Sequence, residues 1–232
     1  KRGRDEWYAG LTPGLTPGYG EEAEIRRGGR PNVVVQFTPP EGVQPGLVGT
    51  VQDESADVVD VSATIVDLAV RGFLSIEEIQ SRSLFGRTDW KLTWLHPPAG
   101  AKPLTPYENA LIDGLFAKGS PVLLSQLKNS FRPTLELVQR RMYSEVVDRG
   151  WFRRSPEAVR QGWMALGGFM CFAAVALMFF GSGLAMAALD NTGLPVPPVP
   201  VLAVGLFIAG LIVIVLGRRM AHRTADGSAV LA

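Results

Sequence analysis

The chain has 232 residues, 47% of them hydrophobic and 19% charged, with a formal net charge of +1, which excludes a disordered polymer and a purely polar domain. Charge is divided unevenly: residues 1–160 hold 20 Lys and Arg against 20 Asp and Glu, whereas 161–217 hold one charged residue, Asp190. The single Cys171 excludes a disulfide framework or a cysteine-based zinc cluster, and a neutral soluble part argues against duplex DNA, whose phosphates draw on a basic excess.

Residues 1–32 read as a linker. Leu11-Thr12-Pro13-Gly14 repeats as Leu15-Thr16-Pro17-Gly18, and turn-formers at this density do not build a core. The basic opening, with no apolar run behind it, reads as the cytoplasmic flank of an upstream span rather than a signal peptide. Val33 to Phe37 is a short strand candidate closed by Pro39-Pro40, and Pro45 to Val51 a short helix. From Asp57, Val58, Val61, Ile65 and Leu68 fall at helical spacing until Gly72, and Asp53, Glu54, Asp57 and Asp60 suit helix caps better than a metal cluster. The period then changes to two. Phe73 to Glu77 and Trp90 to Trp94 predict a hairpin with a long basic tip, and the Trp90, Leu92, Trp94 face is expected to be core.

Thr105-Pro106-Tyr107-Glu108 predicts a capping box with proline at the first helical position, followed by a buried stripe of Leu111, Ile112, Leu115 and Phe116. Ser125 opens a short helix. Pro133 opens a longer one, with Leu135, Val138, Met142 and Val146 on one face until Gly150. Arg71-Gly72-Phe73-Leu74 is echoed by Arg149-Gly150-Trp151-Phe152, each closing a helix into an aromatic extended segment. The fold class is therefore read as α+β: tandem winged-helix-like units at 33–98 and 103–155, followed by an α-helical transmembrane hairpin. As nucleic-acid contacts, the wing offers Arg82, Arg87 and Lys91 and the last helix offers Gln139, Arg140 and Arg141. Interspersed Asp and Glu make protein the better partner and nucleic acid an unlikely one.

Residues 161–189 and 199–217 read as two transmembrane helices. Gly162 to Leu189 is uncharged and reaches roughly 40 Å as a helix, beyond a hydrocarbon core of about 30 Å. Arg153, Arg154 and Arg160 precede the pair, Arg218, Arg219 and Arg223 follow it, and the turn 190–198 has neither Lys nor Arg. The positive-inside bias puts both ends in the cytoplasm and the turn outside, with 218–232 opening a cytoplasmic tail. The glycines of the two runs show no small-xxx-small register and read as ordinary membrane-helix composition. Membrane lipid is thus one partner.

Pro39-Pro40-Glu41-Gly42-Val43-Gln44-Pro45, the run from Ala63 to Glu78, and Leu104 to Ile112 resemble the YciQ-like predicted membrane proteins, a bacterial and archaeal family of unknown function. The resemblance runs from about residue 33 onward and implies a cytoplasmic and membrane portion of a longer plasma-membrane protein, preceded by an extracytoplasmic domain and a first span. It implies no catalytic residues. The residues agree: His96 sits beside Pro97-Pro98 and His222 follows the second span, with no G-x-S-x-G elbow and no H-E-x-x-H or paired Cys/His spacing. The expectation is a non-enzymatic, cofactor-free and metal-free membrane scaffold or sensor. The alternatives are a membrane-tethered nucleic-acid regulator and a transporter or channel accessory component.

Overall fold

The computed structural model describes residues 5–12, 14–19, 21–28, 42–79, 88–96, 100–128, 130–181, 183, 199–218 and 220–231. These form two bodies: a head made of residues 5–155 and 223–232, and a helical pair within residues 156–222. The 33–37 strand candidate and the 190–198 turn lie outside the described residues.

The head mixes helix and sheet. Strands β1 (Glu6–Tyr8) and β2 (Ile25–Arg27) pair antiparallel with Glu6 opposite Arg27, inside the stretch whose composition reads as linker. Helix α1 (Pro45–Asp53) packs closely on α2 (Val58–Val70). A β-carbon on Gly46 would lie 2.6 Å from the Asp60 carbonyl oxygen, and one on Gly49 would collide with the Asp60 carboxylate. Small residues there let two backbones meet, as glycine alone permits. β3 (Leu74–Ile79) and β4 (Asp89–Trp94) form the expected hairpin, with Ile76 opposite Leu92 and Glu78 opposite Trp90.

Helix α3 (Pro106–Leu115) then leads to β5 (Val122–Leu123), a third strand that pairs Val122 with Leu92, so the sheet order is β3-β4-β5. A short α4 (Leu124–Leu127) and a long α5 (Arg132–Asp148) follow. The two halves thus share one sheet and one core, rather than each closing on itself. Leu47, Val51, Val61 and Leu68 from the first half join Leu111, Leu115, Val138, Met142 and Val146 from the second. Each is at most 2% exposed, and burial of this kind contributes about 2 kcal/mol per side chain. Trp90 departs from the expected core face. It is 42% exposed, because the hairpin runs past the helices that cover Leu92.

In the second body, α6 (Pro156–Ala176) continues into a π-helical turn at Leu177–Gly181, and α7 is Val199–Gly217. The first helix begins five residues before the apolar run, so Arg160 lies within its opening turns. Both helices are long and apolar enough to cross a membrane, and only 11% and 17% of their most apolar windows is buried. Exposure at that level distinguishes them from the core helices of a water-soluble fold. A last short helix, α8 (Ala225–Ala229), returns to the head.

Candidate functional site

The sequence echo is a structural repeat. At the end of α2, Gly72 takes φ +80, its N–H donates to Ala69 O and the Phe73 N–H donates to Leu68 O; at the end of α5, Gly150 takes φ +75 with the same bonds to Val147 O and Val146 O. This is the Schellman arrangement, which glycine adopts without steric cost. Arg71 pairs with Asp67 and lies 5.0 Å over the Phe73 ring, while Arg149 pairs with Glu145 and lies 5.0 Å over Trp151.

The copies diverge in what else the arginine holds. Arg71 Nη1 donates to Oε1 of Glu108 at 2.6 Å, and Glu108 Oε2 accepts the Thr105 N–H at 2.7 Å. Glu108 is fully buried, so the capping residue of α3 also closes an ion pair with the end of α2. Beside it, burial and the Glu108 charge push the Tyr107 hydroxyl well above its ordinary pKa. Arg149 instead donates to the Gly42 carbonyl. Asp60 acts as the second helix's capping carboxylate, accepting the Asp57 N–H at 3.0 Å and lying 3.1 Å from Thr50 Oγ. Burial raises its pKa against those two donors.

A polar clasp gathers three distant segments of the head. Glu6 is 2% exposed and accepts both Arg27 and Arg153. Asp5 pairs with Arg223 and also accepts its N–H, the Glu6 N–H donates to Arg223 O, and Tyr8 donates to Asp226 at 2.7 Å. Phe152 and Arg223 form a β-bridge, and Thr224 donates its N–H to Trp151 O and its hydroxyl to Gly150 O. Residues 152 and 223, which precede and follow the apolar helices in sequence, are therefore tied together inside the head. Burial and the bond to Asp226 push the Tyr8 pKa up to about 12.

Within the apolar pair, α6 and α7 meet along small residues. A β-carbon on Gly167 would lie 2.7 Å from Gly210 O, and one on Gly210 would lie 2.9 Å from Gly167 O and 2.7 Å from Cys171 Sγ. Gly217 abuts Trp163, Gly181 faces Val199, and Ala174 and Ala203 are each 2% exposed. The seam repeats every seven residues, at 167, 174 and 181 on one side and at 203, 210 and 217 on the other. This corrects the reading of these glycines as mere composition. Gly168, Gly183 and Gly205 do fit that reading, with nothing within 4 Å.

A head joined to an exposed apolar pair is the architecture of a membrane protein, and residues 34–232 match the family described as predicted membrane protein (DUF2207) C-terminal domain. The chain belongs to that family. No curated protein and no solved structure matches it. Family and helices together make the chain a membrane protein, and the YciQ-like resemblance agrees with that assignment.

In this DUF2207 domain the sequence-predicted contact residues are dispersed. Arg82, Arg87 and Arg219 lie outside the described residues. Lys91 pairs across the hairpin with Glu77. Gln139 donates to Ala56 O at 2.7 Å while Tyr143 Oη accepts the Ala56 N–H, so Gln139 fastens α5 to the α1–α2 connection instead of offering a free amide. Arg140 and Arg141 are exposed on α5. Arg141 borders an open groove of roughly 640 Å3 with Asn109, Asp113 and Thr134. Among the flanking arginines, Arg153 and Arg223 belong to the clasp, Arg154 and Arg218 are exposed, and Arg160 is half-buried. His96 is exposed after β4, His222 is half-buried, and among the described residues no three His, Cys, Asp or Glu side chains gather to hold a metal. Glu6, Tyr8 and the Arg71 partnership of Glu108 escaped sequence reasoning. The one available signal was the capping box that marked Glu108 as functionally placed.

Proposed function

We propose that the chain is a multi-pass, non-enzymatic scaffold or sensor of the plasma membrane, with its winged-helix-like head in the cytoplasm binding protein partners. The observation that carries this reading is the Phe152–Arg223 bridge inside the clasp. A head that ties together the chain entering and leaving an apolar pair requires both ends of that pair on one side of the bilayer, and the flanking arginines make that side the cytoplasm. Helix α1, helix α2 and the β3–β4 hairpin follow winged-helix order. Protein is favoured over nucleic acid because Lys91 is engaged by Glu77 and Gln139 by Ala56, which takes two side chains from a phosphate-facing set.

The test is crosslinking of the full chain in its native membrane, followed by mapping of the adducts. Protein adducts at residues 42–154 support the reading. A folded chain yielding only lipid adducts, or binding duplex DNA with a steep salt dependence, contradicts it.

A further inference from the structure

Helix α2 is apolar on both sides. Its inner face, Val61, Thr64 and Leu68, is in the core. Its outer face carries Val59, Val66 and Val70 at 76%, 55% and 82% exposure, with Val58 at 59% beside them. Charge does not interrupt that face. Asp60 is buried, Asp67 pairs with Arg71, and the exposed Ser62 turns its hydroxyl back to Val58 O at 2.9 Å. Surface helices ordinarily set charged side chains opposite the core, so an uncharged valine ridge marks a contact surface.

The pattern identifies the occupant. Reflected about the peptide between Thr64 and Ile65, Val59 falls opposite Val70, and the small Ala63 falls opposite Val66. An antiparallel pair of identical helices would therefore set ridge against hollow at each step, the self-complementarity that a twofold interface requires. A lipid surface fits less well, because interfacial helices carry Lys or Arg on the polar side and Val58–Val70 contains neither. The ridge presents on the order of 400 Å2 per copy, below what holds freely diffusing partners together. Confinement of both copies to one bilayer raises their effective concentration and removes much of that shortfall. We propose that α2 is a homotypic contact, through which two membrane-anchored copies of this chain pair antiparallel about a twofold axis. The proposal rests on the membrane-anchored, protein-binding reading and names its partner as a second copy.

The test uses the full chain in membranes, in a Cys171→Ala background, with a short bis-maleimide crosslinker. Val66→Cys lies near the axis and should give dimer at about tenfold the level of Ser144→Cys, an exposed position on α5. Val59→Cys alone should give little, because the two copies of residue 59 would be roughly 16 Å apart along the axis. Val59→Cys mixed with Val70→Cys should crosslink strongly, and adding Val66→Lys to both should abolish the product. Equal dimer from Val66→Cys and Ser144→Cys, or from Val59→Cys alone and the mixture, overturns the proposal. Adducts to a different protein at Val66→Cys also overturn it, while leaving the protein-binding reading intact. These side chains point away from the core, so the substitutions spare the fold.

Discussion

Gly167 and Gly210 face each other so closely that a β-carbon on either would lie within 2.9 Å of the other's carbonyl oxygen. In hydrocarbon, where burial of apolar area gives helices no net advantage, close backbone packing of this kind holds a pair together. Gly167→Leu or Gly210→Leu should therefore cost the solubilised chain about 1–3 kcal/mol in graded SDS unfolding, the usual penalty of overpacking. Gly168→Leu and Gly205→Leu, which open onto free space, should unfold like the parent. Equal destabilisation at all four positions would remove the seam.

Glu108 and Arg71 form an ion pair of a different kind from those on the surface. Glu108 is fully buried and its partner's side chain is 23% exposed. Truncation to Ala strands a buried guanidinium and should cost about 3 kcal/mol in thermal or chemical unfolding. Glu108→Gln still accepts the Thr105 N–H and should cost less. Glu136→Ala, which breaks the exposed Arg132–Glu136 pair, should cost under about 1 kcal/mol. A Glu108→Ala protein as stable as Glu136→Ala contradicts this assignment.

Asp60 predicts a pH dependence of definite sign. Burial raises its carboxyl in the fold above the unfolded value of about 4, so the ionised form is disfavoured there. Its contribution to stability is present at low pH and is lost as pH rises through the elevated value. Asp60→Asn keeps an acceptor for the Asp57 N–H and removes the ionisation. The melting temperature of Asp60→Asn relative to the parent should rise between pH 4 and pH 7. A flat difference over that range contradicts the buried carboxylate.

Tyr8 makes the clasp alkali-sensitive. Its pKa of about 12 in the docked state exceeds the ordinary value of about 10, so docking weakens as pH rises from the lower value through the higher. Hydrogen exchange at the Arg223 and Thr224 amides should quicken above pH 10 beyond its intrinsic base dependence, and Tyr8→Phe should quicken it already at neutral pH. Glu6→Ala, which leaves Arg27 and Arg153 without their shared carboxylate, should do the same. Unchanged protection in both variants would mean that the bridge alone holds the segment.

Periodicity exposed the elements with long repeats. Helices α2, α3 and α5 and both apolar helices follow from apolar spacing, caps and glycine stops, because each buries a continuous stripe. β5 could not be read, since Val122 and Leu123 pair for two residues and no pattern fits in so short a run. The clasp was invisible for a related reason: Glu6 meets Arg153 across 147 positions, and turn-rich sequence gives no hint of which charges will pair. The glycine seam was missed because a spacing of four was sought where the helices repeat at seven. Glu108 was legible as a cap through its local spacing, whereas its bond to Arg71 depends on how α3 packs beside α2.

Sidedness tests the central claim most directly. In a Cys171→Ala background, single cysteines at Tyr19, at Asn191 and at Ala229 are exposed to a membrane-impermeant maleimide in right-side-out and inverted vesicles. Tyr19→Cys and Ala229→Cys should react only in inverted vesicles, and Asn191→Cys only in right-side-out ones. Labelling of positions 19 and 229 from opposite faces, or extraction of the chain from the vesicles by alkaline carbonate, would contradict an anchor whose two ends are gripped by one cytoplasmic head.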